Sequence, residues 1–194
     1  AAPAVQYLLD EGFTRFYLLG TDYVYPRTTN KILKAMLEAK GVSTDDYREE
    51  YTPFHHQDYQ TIVADIKQFA AAGDTCVVST INGDSNVPFY KELGNQGIEA
   101  SDIPVVAFSV GEEELAGLDT APLVGHLAAW NYFQSVDTPE NAEFIKAWKA
   151  RMGEDRVTND PMEAHYIGFN MWVKAVEKAG TTDADAVIDA LPGI

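Results

Sequence analysis

The chain has 194 residues, 46% of them apolar, with 30 acidic and 14 basic side chains, a formal net charge of −16 and a pI near 4.4. That is apolar enough for a packed core, and acidic enough to make nucleic acid and anionic lipid poor partners. Cys76 is the only cysteine, which excludes an intrachain disulfide, and no stretch approaches the roughly 20 apolar residues of a membrane-spanning helix.

The first ten residues lack the basic start and long apolar core of a secretory leader. Ala4, Val5, Leu8 and Leu9 instead mark a helical stripe ending at Gly12. Both chain ends read as cut from something longer. Residues 13–19, Phe-Thr-Arg-Phe-Tyr-Leu-Leu, form an apolar run that predicts a buried strand. Gly20 is expected to let the chain leave that strand sharply. Pro26, its φ preset, suits the first turn of a helix beginning near Arg27. That helix places Ile32, Leu33, Met36 and Leu37 on one face and ends at Gly41.

Residues 47–52 alternate in character as an edge strand does, and stop at Pro53. After a loop with His55 and His56, Gln57 or Asp58 starts a helix whose buried stripe is Ile62, Val63, Ile66 and Phe69. Residues 75–79 form a continuous buried strand with a polar exit over 80–85, and Cys76 within it reads as a buried, inert thiol. A helix with Val87, Phe89, Tyr90 and Leu93 follows, then a strand over 104–108 with its exit at 109–111, and an acidic helix start at Glu112, Glu113 and Glu114. Leu123–Ala128 is the last strand candidate. Strands alternating with amphipathic helices predict an α/β lobe, a largely parallel sheet with helices on both faces, over about 1–130.

The pattern changes after Trp130. From Asp137 on, only helices are expected: a capped one carrying Phe144, Ile145 and Trp148, and one over 161–178. The second places Ala164, Ile167, Gly168, Met171, Trp172, Ala175 and Ala179 on one wide apolar face, which two helices cannot cover alone. A crossover near 129–132 is expected, with 131–194 a helical C-terminal tail belonging to another unit and its apolar face covered.

Motifs for the common chemistries are missing: there is no G-x-S-x-G elbow, no glycine-rich phosphate loop and no H-E-x-x-H. His55 and His56 are adjacent in an extended loop without a cysteine or a third spaced histidine, so a solvated loop is expected and no metal. His126 and His165 read as hydrogen-bonded core residues. Three polar strand exits remain: Tyr23 and Tyr25; Thr80, Asn82 and Asp84; Ser109 and Glu112. In a parallel sheet they converge on one edge. Hydroxyls, an amide and a carboxylate so arranged suit a small uncharged polar molecule such as urea or a short amide. Tyr23 and Tyr25 equally suit packing beneath the next loop.

Four stretches carry a resemblance: 20–26 (Gly-Thr-Asp-Tyr-Val-Tyr-Pro), 78–83 (Val-Ser-Thr-Ile-Asn-Gly), 136–141 (Val-Asp-Thr-Pro-Glu-Asn) and 163–166 (Glu-Ala-His-Tyr). They resemble the urea-binding substrate-binding proteins of bacterial ABC importers and, more distantly, the amide sensor of amidase operons. Both have the type I periplasmic-binding-protein fold, as the branched-chain amino acid binders do. The resemblance spans essentially the whole chain. It implies two α/β lobes closing on the ligand, of which 1–130 is the second, with a flavodoxin-like parallel sheet, and 131–194 a tail that completes the first. It implies a non-enzymatic periplasmic protein, its signal peptide outside this chain, without cofactor, delivering its ligand to ABC permease membrane subunits. The alternative is a cytoplasmic urea or amide sensor acting on a partner protein. The residues matching Tyr23 and Ser109 face the amide in the sensor, where a threonine stands in place of Ser109. Tyr25, Thr80, Asn82 and Glu112 complete the expected site.

Overall fold

The structure is a computed structural model, describing residues 1–116 and 118–194. The chain falls into two compact units, Ala1–Trp130 and Asn131–Ile194.

The first unit alternates helix and strand: α1 (Ala2–Asp10), β1 (Arg15–Thr21), α2 (Val24–Ala39), β2 (Tyr47–Thr52), α3 (Gln60–Ala70), β3 (Thr75–Thr80), α4 (Asn86–Asn95), β4 (Val105–Ala107), α5 (Glu112–Leu115) and β5 (Leu127–Ala128). All strand pairs are parallel and their order is β2-β1-β3-β4-β5, the doubly wound, flavodoxin-like arrangement. The inner strands β1 and β3 are buried along nearly their whole length, with apolar centres, because both sheet faces are covered. On one face Tyr17, Leu19 and Val77 pack with Val63 and Ile66 of α3 and Phe89 and Leu93 of α4. On the other, Phe16, Leu18, Cys76 and Val78 pack with Val5 and Leu8 of α1 and Leu33 and Leu37 of α2. The edge strand β2 exposes Arg48 and Glu50, and Arg48 pairs with Asp65 of α3 at 2.5 Å. Charge on an edge discourages pairing with another chain.

Cys76 sits fully buried in β3, and burial pushes its thiol well above the ordinary range. A raised pKa keeps the thiol protonated through neutral and mildly alkaline pH, and only the thiolate attacks. At pH 8 the folded chain should therefore leave a disulfide reagent essentially unreacted, and denaturant should release one full equivalent. Fast labelling of the native chain would show that β3 is not buried.

Several boundaries differ from expectation. Helix α2 begins at Val24, three residues early, so Tyr25 and Pro26 lie in its first turn, where amides need no helical partner. Gly20 lies inside β1, paired with Tyr51 and Thr80, rather than at the exit. The expected strand over 123–128 shrinks to Leu127–Ala128, since Ala121–Leu123 forms a 3-10 turn.

The second unit comprises α6 (Pro139–Met152), α7 (Asp160–Ala179) and α8 (Ala184–Ala190). Thr138 caps α6 through the Asn141 amide, and Asn159 caps α7 through that of Met162. A buried polar knot braces the approach to α6. The Tyr132 hydroxyl donates to Asn141 Oδ1 at 2.7 Å and lies 2.7 Å from Thr158 Oγ1. Asn141 Nδ2 donates to the Gln134 and Val136 carbonyls.

The sequence pattern missed α8, a short helix that packs Val187 and Ala190 on Ala175. It leaves the rest of the α7 face open: Ile167, Met171 and Trp172 are 46%, 41% and 45% exposed, contrary to the expectation that they are covered. A seven-residue helix presenting valine and alanine has too little apolar area for that face. His165 is likewise exposed rather than in the core, bonded through Nδ1 to the Pro161 carbonyl.

Candidate ligand site at the strand exits

The strand order turns at β1, because the chain passes from β1 to β2 on one side and then across to β3 on the other. Loops leaving β1 and β3 there lead to helices on opposite faces of the sheet, and the carboxyl edge at such a point is the usual ligand position in these folds. Register aligns the exits: Gly20 pairs with Thr80, and Ser79 with Ala107. The 22–23, 81–86 and 108–111 segments therefore leave from three adjacent strands.

Tyr23 precedes the first turn of α2 in extended backbone. Its ring lies 6.1 Å from that of Tyr25 and 4.9 Å from that of Phe54, both centroid to centroid. Burial, with a smaller contribution from Tyr25, raises the Tyr23 phenol above its ordinary pKa, so it stays a hydrogen-bond donor at neutral pH. Asn82 braces the neighbouring exit: its amide donates to Thr21 Oγ1 and its Nδ2 to the Thr80 carbonyl, both at 3.0 Å. Ser109 follows β4 and keeps 7% exposure. Glu112 opens α5, half-buried, while Glu114 closes that turn by accepting the Gly111 amide at 2.9 Å.

Thr80 differs from the other five. It is wholly buried, its hydroxyl directed to the Leu19 carbonyl, so it supports the exit rather than presenting a group at the surface. Sequence reasoning also missed Phe54. That residue follows the edge strand in a loop that reads as solvated; it is 53% exposed, but its ring lies tilted against that of Tyr23. His55, in the left-handed region with φ 60°, holds this loop through Asp84 at 3.0 Å. A phenylalanine set between Pro53 and two histidines was the available signal.

His126 Nδ1 accepts the Val105 amide at 3.0 Å, and burial lowers its pKa, so the ring is neutral and structural. Among the described residues no group of three metal-ligating side chains gathers, and no helix is long and apolar enough to cross a membrane. The polar groups at the edge are tyrosyl hydroxyls, a largely buried serine, an amide and a carboxylate, beside aromatic faces. They can orient a small polar molecule.

Residues 1–194 match the family described as periplasmic binding protein domain. The chain belongs to that family. The family's description and the name of the relative matched along the whole chain are those of binding proteins. This periplasmic-binding-protein chain is 25% identical over 198 residues to a Leu/Ile/Val-binding protein homolog of Brucella melitensis, covering 100% of this chain and 49% of that one. It thus spans about half the length of such curated relatives. A solved ABC transporter substrate-binding protein from Sphaerobacter thermophilus shares the fold, with a TM-score of 0.82 and 23% identity over 100% of this chain and 52% of that one. A 67-residue stretch is 36% identical to a limonene hydroxylase of Geobacillus stearothermophilus, covering 34% of this chain and 12% of that protein. So small a part of the hydroxylase carries no activity across.

Proposed function

We propose that the complete protein is the periplasmic solute-binding component of an ABC importer. It captures urea or a short amide between this lobe and another lobe, and delivers it to the permease. The observation that carries this reading is the alignment of three polar strand exits at the turn in strand order. Tyr23, Tyr25, Ser109 and Asn82 supply donors and acceptors for a carbonyl and amide protons, and Glu112 an acceptor for N–H groups. Thr80 supports them from below. Neutral hydroxyls and one carboxylate favour a small uncharged solute over an amino acid zwitterion, whose carboxylate would meet Glu112.

The tail fits the same reading. The open α7 face and the half-length match both support its docking on parts of the complete protein outside this chain. Enclosure by a second lobe would exclude water from the polar contacts, which one lobe leaves in competition with it.

Calorimetry with urea, acetamide and leucine on the complete protein tests this. Urea or acetamide should bind saturably, and Tyr23→Ala should weaken binding about tenfold or more, having removed a ring face and a donor. The isolated chain should bind far more weakly than the complete protein. Leucine binding with urea and acetamide silent would overturn the ligand, and equal affinity of chain and complete protein would overturn the enclosure.

A further inference from the structure

Away from the strand exits, α4 and the 118–123 segment border a cleft of about 420 Å³, within the size range of small-molecule sites. Leu118, Pro122 and Leu123 form one apolar wall, and Val87 of α4 faces it. Tyr90 lines the cleft at 4% exposure, and its hydroxyl makes no hydrogen bond among the described residues. That hydroxyl is not among the fully buried polar atoms that lack a partner, so it keeps contact with water, and a ligand acceptor in the cleft would take that water's place. Its nearest polar ring neighbour, His126, is 6.0 Å away by centroids and has already committed Nδ1 to the Val105 amide.

Lys91, next along α4, also lines the cleft and makes no ion pair among the described residues. The other polar side chains there are each engaged through one atom. Asn95 Nδ2 donates to Glu92 at 3.0 Å, and Asp119 Oδ1 accepts the Ala121 amide at 3.2 Å. The cleft thus offers one hydroxyl, one ammonium and the charge of the Asp119 carboxylate, above an apolar floor.

We propose that this cleft is a second ligand site, taking a small monocarboxylate with an apolar body, the carboxylate held by the Tyr90 hydroxyl and the Lys91 ammonium. Charge-assisted bonds to a carboxylate are the strong class of hydrogen bond, and the body lies on Leu118, Pro122 and Leu123. Burial raises the Tyr90 phenol, so it remains a donor across neutral pH. Asp119 opposes an anion and sets the affinity low.

Two-dimensional amide NMR of this chain, titrated with benzoate and separately with benzamide, tests the site. Benzoate should give saturable shifts at residues 87–95 and 118–123, and benzamide should bind several-fold more weakly. Tyr90→Phe should weaken benzoate about tenfold while leaving the melting temperature nearly unchanged, because the hydroxyl it removes bonds to none of the described residues. Lys91→Gln should abolish the preference for benzoate over benzamide, and Asp119→Asn should strengthen benzoate. Shifts confined to the strand exits, equal binding of the two probes, or full affinity in Tyr90→Phe would each overturn the proposal.

Discussion

Replacing Gly20 by alanine is expected to destabilise the first unit by about 3 kcal/mol, the upper part of the range for forcing a methyl into a close-packed core. A Cβ at Gly20 falls inside contact distance of Thr80 Oγ1 and 2.7 Å from Pro26 Cβ. Both neighbours are buried and anchored, Thr80 in a central strand and Pro26 in the first turn of α2. The constraint is close approach, not backbone conformation. Hydrogen exchange of the β1 and β3 amides reads the loss locally. Adding Thr80→Ala should recover only part of it, since the Pro26 contact remains, with a coupling above about 0.5 kcal/mol. Unchanged protection in Gly20→Ala would mean that α2 does not seat on β1 as described.

Phe89→Ala should cost about 3–5 kcal/mol, as truncation of a buried phenylalanine does. Phe89 is fully buried between Tyr59, 5.4 Å away by ring centroids, and Tyr90, at 5.3 Å, and it ties α4 to the sheet. The cavity has rigid walls, with Val77 and Val105 of the sheet in the same cluster. Denaturation of the two variants separates neighbours one residue apart: Phe89→Ala should lower the midpoint steeply, whereas Tyr90→Phe should not. A Phe89→Ala cost under about 1 kcal/mol would contradict the packing of α4.

The parallel sheet was legible because its inner strands are covered on both faces and so carry unbroken apolar runs. The 75–79 run extends by one residue in β3, and the alternation over 47–52 marks the edge strand β2. The start of α2 was not legible, because Val24 and Tyr25 read as loop while the fold recruits them into the turn that seats Pro26 on Gly20. Helix α8 is only seven residues long, too short for a periodic stripe to stand out. At the site, polar residue types after strands pointed to Tyr23, Asn82 and Ser109. Side-chain direction lay beyond that pattern: Thr80 turns inward to the Leu19 carbonyl, and Phe54 turns toward Tyr23. Those outcomes depend on register and on the His55–Asp84 contact, which join loops 29 residues apart.

The central claim is that the strand exits hold a small neutral solute. Amide NMR of this chain with urea, kept well below denaturing concentrations and paralleled by acetamide, locates the ligand directly. Saturable shifts at residues 22–25, 81–84 and 109–112, lost in Tyr23→Ala, are the predicted result. Shifts that rise linearly and spread evenly over both units, or that saturate away from those three exits, would contradict it.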